Sequence, residues 1–303
     1  MGIVDLELGA QLPAWQWDFD LSQLKDWAQG AEELGFEWLG MADHIFYAHP
    51  TDTRSVGSYA GGTIQHEIFT FLAWLAGQTE KPALTTSVLV LPQRQAPIVA
   101  KQAAEVDILS QGRFRLGIGI GWQEAEFEGL GKEFKTRGKR MEDDISVLRA
   151  CWGAEPLNFD TPAEHADHLS MNPKPFTAGG PPILYGGESD IAVDRTARLC
   201  DGWIARTRFK PDDAAEFVSR LHPALEKYGK DPDTFPLQAT VAASDDLDAL
   251  STQLQTFINA GVTRLGLHLP GIHDLDADPV SMNVDEHLEM LRRIREDVWA
   301  SLI

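Results

Sequence analysis

The chain has 303 residues, 43% of them hydrophobic, with two cysteines and a formal charge of −20. The length suits one large α/β barrel or two smaller domains, and the composition suits a globular protein with a full core. The acidic balance repels phosphate backbones and excludes nucleic acid as a partner; the two cysteines are too few for a disulfide framework.

Cys151 and Cys200 are therefore expected to be reduced and buried. No signal segment opens the chain and no apolar run reaches transmembrane length, so a cytoplasmic protein that does not engage membranes is expected.

Val4, Leu6 and Leu8 alternate with Asp5 and Glu7, which predicts a first strand. Leu21, Leu24, Trp27, Ala28, Ala31 and Leu34 recur at helical spacing over 20–34, and Gly35 stops that helix. Residues 36–41 read as a second strand, running into Ala42-Asp43-His44. The stretch 45–65 is glycine-rich and polar, without a period, and reads as a long functional loop. A helix over 66–75 leads to a third strand over 83–91, apolar nearly throughout, as in a strand buried on both faces.

A helix over 95–109 ends at Ser110-Gln111-Gly112, with Gly112 placed as its C-terminal glycine. Phe114, Leu116, Ile118 and Ile120 then alternate as a fourth strand. Gly117, Gly119 and Gly121 fall on the other parity and share one face. A strand face without side chains weakens a strand, and suits a place where a flat ring lies against the backbone or where a crowded helix packs next to the strand. A helix over 138–151 follows.

The segment 152–180 breaks the rhythm, with four prolines and little apolar pattern. It is expected as an insertion or lid near the C-terminal ends of the strands. Strands over 182–185, 202–205, 236–242 and 264–269 then alternate with helices over 189–199, 211–228, 247–259 and 284–302. Eight strands alternating with helices predict a single (β/α)8 barrel domain over 1–303. A doubly wound open sheet is the second choice. It is weakened because Gly117-Ile-Gly-Ile-Gly121 lies within a later strand, not at the strand-to-helix turn of a dinucleotide fingerprint.

In such barrels the chemistry sits at the C-terminal ends of the strands. That rule selects Asp43-His44, Ser87-Val88, Gly119 to Trp122, Gly186-Gly187-Glu188-Ser189, Ala205-Arg206 and His268. His44 is the candidate for proton transfer, because an imidazole titrates near neutral pH and Asp43 could bias its charge or orientation. Gly186 to Ser189 follow a strand and open a helix, where backbone N–H groups can hold a phosphate. Glu188 is an awkward neighbour for an anion and is expected to point away; Arg195 and Arg198 are expected as surface or salt-bridge residues. Trp15, Trp17, Phe46, Tyr47 and Trp122 could wall a flat substrate. His165 and His168 lack the partners of a zinc site, so no metal is expected.

The run Leu109-Ser-Gln-Gly-Arg-Phe-Arg-Leu-Gly-Ile-Gly-Ile-Gly-Trp122, followed by Glu126-Phe-Glu-Gly-Leu-Gly131, resembles the signature of the bacterial luciferase-like flavin and deazaflavin oxidoreductases. The resemblance extends to Asp43-His44, Thr85 to Val90, Pro181 to Gly187 and Arg195 to Trp203, and covers the chain to about Ala205. It implies a barrel enzyme that uses coenzyme F420 to move a hydride to or from a small organic substrate, with His44 as acid or base and Asp43 as a ring or partner contact. It further implies that Ser87-Val88 form a bulge with a non-proline cis peptide behind the cofactor ring, that Gly119, Gly121 and Trp122 border the ring, and that Gly186, Gly187, Glu188 and Ser189 hold the cofactor phosphate. The sugar-phosphate dehydrogenases of the family carry glutamate where this chain has Trp122, which points away from a sugar phosphate and toward a flat apolar or carbonyl-bearing substrate. The alternatives are an FMN-dependent monooxygenase, supplied with reduced flavin by a separate reductase, and a non-enzymatic flavin-binding barrel. Family resemblance also implies a homodimer.

Overall fold

The computed structural model describes residues 6–13, 20–49, 64–206, 209–268 and 282–303. Val4, Trp15 and Trp17 lie outside the described residues, as does much of the predicted 45–65 loop. The parallel strands belong to one sheet in the order β3 (Ala83–Thr86), β2 (Trp38–Met41), β1 (Glu7–Gln11), β11 (Arg264–His268), β10 (Leu237–Ala242), β9 (Gly202–Ile204), β8 (Ile183–Gly186), β5 (Phe114–Gly119) and β4 (Leu89–Val90), with β3 also paired to β5. That extra pairing distinguishes the predicted (β/α)8 barrel from an open doubly wound sheet, and the barrel is the fold. The contacts divide the chain into two compact units, Met1–Met41, Lys81–Ala83 and Leu184–Ile303 in one, Ala42–Glu80 and Leu84–Ile183 in the other.

The first unit carries β1 (Glu7–Gln11), β2 (Trp38–Met41), nearly all of β8 (Ile183–Gly186), β9 (Gly202–Ile204), β10 (Leu237–Ala242) and β11 (Arg264–His268). Its helices are α1 (Leu21–Glu33), α6 (Asp190–Leu199), α7 (Pro211–Lys227), α8 (Leu247–Asn259) and α9 (Val284–Arg293). Asp20 starts α1 by accepting the Ser22 and Gln23 N–H groups at 3.1 and 3.3 Å. Leu24, Trp27, Ala28 and Ala31 form its buried stripe. The predicted last helix is regular only to Arg293; Ile294–Trp299 widen into a π-helical turn. Trp38 fills the core between β1 and β11. Gly9 and Gly266 face each other in register, and a Cβ at either would lie 2.1 or 2.4 Å from the Trp38 ring. Both positions therefore exclude any larger residue.

The second unit carries β3 (Ala83–Thr86) apart from Ala83, β4 (Leu89–Val90) and β5 (Phe114–Gly119). The helices are α2 (Ile68–Ala76), α3 (Ala96–Leu109), α4 (Glu124–Gly129) and α5 (Arg137–Trp152). The predicted third strand is thus split. Leu84 pairs with Phe114 but Leu89 with Ile118, so the β3–β4 side carries one residue more than β5 over the same stretch. This is a bulge, and the Ser87–Val88 peptide within it is cis, as the resemblance implied. Gly112 takes φ +86° at the end of α3, and its N–H donates to the Asp107 carbonyl at 2.8 Å, the predicted helix stop.

Within 152–180, β6 (Leu157–Asp160) and β7 (His165–Leu169) form an antiparallel hairpin. Only Leu157 and Ala166 of the two strands are buried, which is why no apolar alternation announced them. The segment is fastened along α3. Glu164 accepts the Ala96 N–H at 3.3 Å, Lys101 donates to the Asn172 carbonyl, and Asp107 accepts the Thr177 N–H at 2.7 Å.

Candidate active site

Asp43 and His44 follow β2 directly and belong to the second unit. Asp43 is buried. One oxygen accepts from Arg94 Nη2 at 2.7 Å and the other from the Val90 N–H at 3.2 Å. Burial raises its carboxyl above the usual aspartate range, against the pull of Arg94 and the Val90 N–H. These bonds hold Asp43 to β4 and to Arg94.

The carboxylate beside His44 is Glu126, on α4, with Oε2 at 3.1 Å from Nδ1. The Glu126 side chain is 1% exposed. Its Oε1 accepts the Ile45 and Phe46 N–H groups at 2.6 and 3.2 Å, and Oε2 also accepts from Gln93 Nε2 at 2.9 Å. Gln123, just before α4, donates to the Phe46 carbonyl at 2.7 Å. A six-residue helix thus fixes the chain immediately after β2. Burial alone would raise the Glu126 carboxyl; hydrogen bonds from His44, Gln93 and Ile45, with the charge of His44, more than offset it and hold the group below the ordinary glutamate range. In the sequence Glu126 lies within a family motif, with nothing that marks a role for it. Its one local signal was a carboxylate following a glycine-rich strand end.

Aromatic rings surround the imidazole. The Tyr47 ring lies 5.1 Å from it, tilted by 44°, and Trp122 meets it edge-on at 6.0 Å. Burial, then the carboxylates of Glu126 and Asp43, push the Tyr47 phenol upward, so it stays a neutral hydroxyl at physiological pH; it donates to Gln65 Oε1 at 3.2 Å. Trp122 is 50% and Phe46 47% exposed, leaving apolar surface beside a titratable group. Phe46 also packs on Gly129, where a Cβ would lie 3.0 Å from its ring.

The bare face of β5 has a different use from the expected one. A Cβ on Gly117 would lie 2.0 Å from the Thr86 carbonyl oxygen, and one on Gly119 2.8 Å from Val88 Cγ2. At Gly121, with φ +75°, it would lie 2.6 Å from Val90 Cγ1. The three glycines therefore make room for the bulged neighbouring strand, and the ring-facing reading of their missing side chains is corrected. Ser87 and Val88 are partly exposed at this bulge. Gly117→Ala is expected to destabilise the fold by about 1–3 kcal/mol, because its methyl group meets backbone that cannot rotate away. Urea unfolding measures it, and an unchanged midpoint would show that the bulge is free to shift.

In the first unit, Gly186 and Gly187 close β8 and Ser189 caps α6, its Oγ accepting the Ala192 N–H at 3.2 Å. Gly187 has φ +148°, and a Cβ there would lie 3.0 Å from the Ala192 methyl. The Glu188 carboxylate accepts from Arg206 Nε at 3.0 and 2.8 Å, and Arg220 donates to the Glu188 carbonyl. Arg220 also lies 3.8 Å from Asp190. A helix N-terminus beside two partly exposed guanidinium groups is a donor set that fits a phosphate. Arg220 lies in the middle of α7, and no local pattern marked it. Arg198 pairs with Asp194 at 3.6 Å, as a surface residue should. Arg195 departs from the expected surface position: it is buried, donating to the Tyr185 hydroxyl at 2.8 Å. His268 ends β11 with intermediate exposure.

Cys151 and Cys200 are buried free thiols. Among the described residues no cluster of metal-ligating side chains occurs, and no helix is long and apolar enough to cross a membrane.

The luciferase-like monooxygenase family model matches residues 4–302, and the chain belongs to this family. It is 28% identical over 271 residues to an uncharacterized protein of Mycobacterium bovis, covering 87% of this chain and 91% of that protein. It is 32% identical over 190 residues to the FMNH(2)-dependent dimethylsulfone monooxygenase of Pseudomonas fluorescens, covering 62% of this chain and 48% of that protein. Identity is 26% over 332 residues with the F420-dependent glucose-6-phosphate dehydrogenase of Nocardia farcinica, covering 89% of this chain and 94% of that protein. The crystal structure of the monooxygenase RslO1 from Streptomyces bottropensis shares the fold with a TM-score of 0.78 at 17% identity, over 98% of this chain and 100% of that one. The family comprises oxidoreductases and monooxygenases, and the relatives include both F420-dependent and FMNH(2)-dependent enzymes.

Proposed function

We propose that this chain is an F420-dependent oxidoreductase acting on a small organic substrate, with His44 as the group that takes up or releases the accompanying proton. The observation that carries this reading is the His44–Glu126 pair, a histidine held on one ring nitrogen by a buried carboxylate. Pure binding needs no such pair, which argues against a barrel that only holds a flavin. The bound deazaflavin would supply the hydride chemistry. Ser189, Gly187 and the N-terminus of α6, with Arg206 and Arg220, would hold the anionic tail; Gly186 and Glu188 frame that turn. Ser87 and Val88 would back the ring, bordered by Gly119, Gly121 and Trp122. Asp43 would keep the chain after β2 in place through Arg94 and Val90. Trp122, Tyr47 and Phe46 favour a flat apolar or carbonyl-bearing substrate over a sugar phosphate.

Full-length likeness to an F420-dependent relative supports this cofactor, since the FMNH(2)-dependent monooxygenase is matched over only 48% of its length. The higher identity of that shorter match, 32% against 26%, favours the second reading, an FMN-dependent monooxygenase fed by a separate flavin reductase. Fluorescence titration with F420 and with reduced and oxidised FMN separates them. Quenching by F420 at micromolar concentration, with none by either form of FMN, is the expected result. The reverse pattern replaces the first reading by the second, and binding of neither discards both.

A further inference from the structure

We infer that Glu126 is a positioning residue that fixes the neutral His44 ring in its Nδ1–H tautomer, leaving Nε2 as the atom that accepts the proton. The inference rests on the proposed role of His44 and deepens it.

Glu126 has four hydrogen-bonding contacts on its two carboxylate oxygens. The Ile45 N–H and Phe46 N–H can only donate. The Gln93 amide nitrogen can only donate, and its orientation is fixed by the same carboxylate, because turning it would set Oε1 against Oε2. Gln93 Oε1 is itself buried with no partner among the described residues, a cost accepted for placing the N–H on Glu126. Three donors of this kind favour the ionised form of Glu126. An ionised carboxylate accepts only, so the hydrogen in the fourth contact must come from His44 Nδ1. Which nitrogen of a neutral imidazole carries the proton is set by the bond the other makes. Here Nδ1 is committed and Nε2 holds the lone pair.

Asp43 is turned to other partners, one oxygen accepting from Arg94 and the other from the Val90 N–H. Carboxylate and backbone act together: Oε1 sets the path of the chain at Ile45 and Phe46, while Oε2 sets the ring that this path carries. When Nε2 takes a proton, the same carboxylate stabilises the imidazolium.

The test is long-range 1H–15N correlation of the histidine rings at pH 8 in 15N-labelled protein, with the His44 signals assigned by their loss in His44→Gln. In the wild type, His44 is expected to show a protonated Nδ1 and an unprotonated Nε2, the reverse of the tautomer preferred by a solvent-exposed neutral histidine. Glu126→Gln should reverse it, since the new amide N–H points at Nδ1 while its oxygen stays on the Ile45 and Phe46 N–H groups. Gln93→Leu should leave the Nδ1–H form in place. A wild-type His44 protonated on Nε2, or a Glu126→Gln protein that keeps Nδ1–H, overturns the inference; the wild-type spectrum decides alone if Glu126→Gln does not fold. A wrong tautomer in a comparable carboxylate–histidine pair costs about 10⁴-fold in turnover, so kcat of Glu126→Gln should fall by roughly 10²-fold or more with little change in KM. An Nδ1–H wild type whose His44→Ala variant turns over normally would instead sink the catalytic reading and leave the tautomer assignment standing.

Discussion

His44→Ala is expected to lower turnover by about 10²–10⁴-fold, the usual contribution of a positioned acid or base, while cofactor affinity changes by less than about threefold. The phosphate-fitting donors lie at the start of α6, just after β9 and on α7, so the substitution removes none of them. Glu126 loses one donor but keeps Ile45, Phe46 and Gln93, so its carboxylate remains satisfied. The stability cost should stay near 1 kcal/mol, the net value of one hydrogen bond. Steady-state kinetics and cofactor titration on the same preparation check this. Undiminished turnover would remove His44 from the chemistry, and a parallel collapse of cofactor binding would make it a binding residue.

Asp144→Asn is expected to stabilise the protein strongly above neutrality and hardly at all near pH 4. Asp144 sits on the buried side of α5, and its Oδ2 has no hydrogen-bond partner among the described residues. Its carboxyl is pushed up to about 7, first by burial and then by the Glu164 carboxylate, against weaker pulls from Arg140 and Lys132. Because the folded value lies above the unfolded one of 3.8, the folded chain holds its proton while the unfolded chain releases it. Stability therefore declines as pH rises from about 4 to about 7, by about 1.4 kcal/mol per pH unit and up to about 4 kcal/mol in all, then levels off. An asparagine carries no charge to bury, so the gain over wild type should grow to about 2–4 kcal/mol at pH 8. Guanidinium unfolding across pH 4–8 measures the gap; a gap that does not vary with pH would assign the effect to packing. Glu164 accepts the Ala96 N–H and repels an ionised Asp144, so the protonated carboxyl spares its surroundings a second negative charge.

Local rules carried most of the fold. Helical apolar spacing located α1, α3 and α8 to within a residue or two, because an amphipathic stripe must bury whatever it packs on. Prolines and glycines marked the breaks, as at Pro211 and Gly112. The hairpin in 152–180 and the short helix α4 were not legible. The first exposes most of its side chains, and the second is too short for a period.

By itself, the order of apolar periods determined the barrel, and the Asp-His pair after the second strand determined where chemistry should be sought. Only the tertiary structure decided the partners. It put Glu126, 82 residues away, on His44, sent Asp43 to Arg94, and filled the glycine face with Val88 and Val90. Periodicity is a property of neighbours along the chain and survives in any arrangement of the elements. A hydrogen bond between distant side chains depends on the register and bulge of every strand between them, which no local pattern encodes.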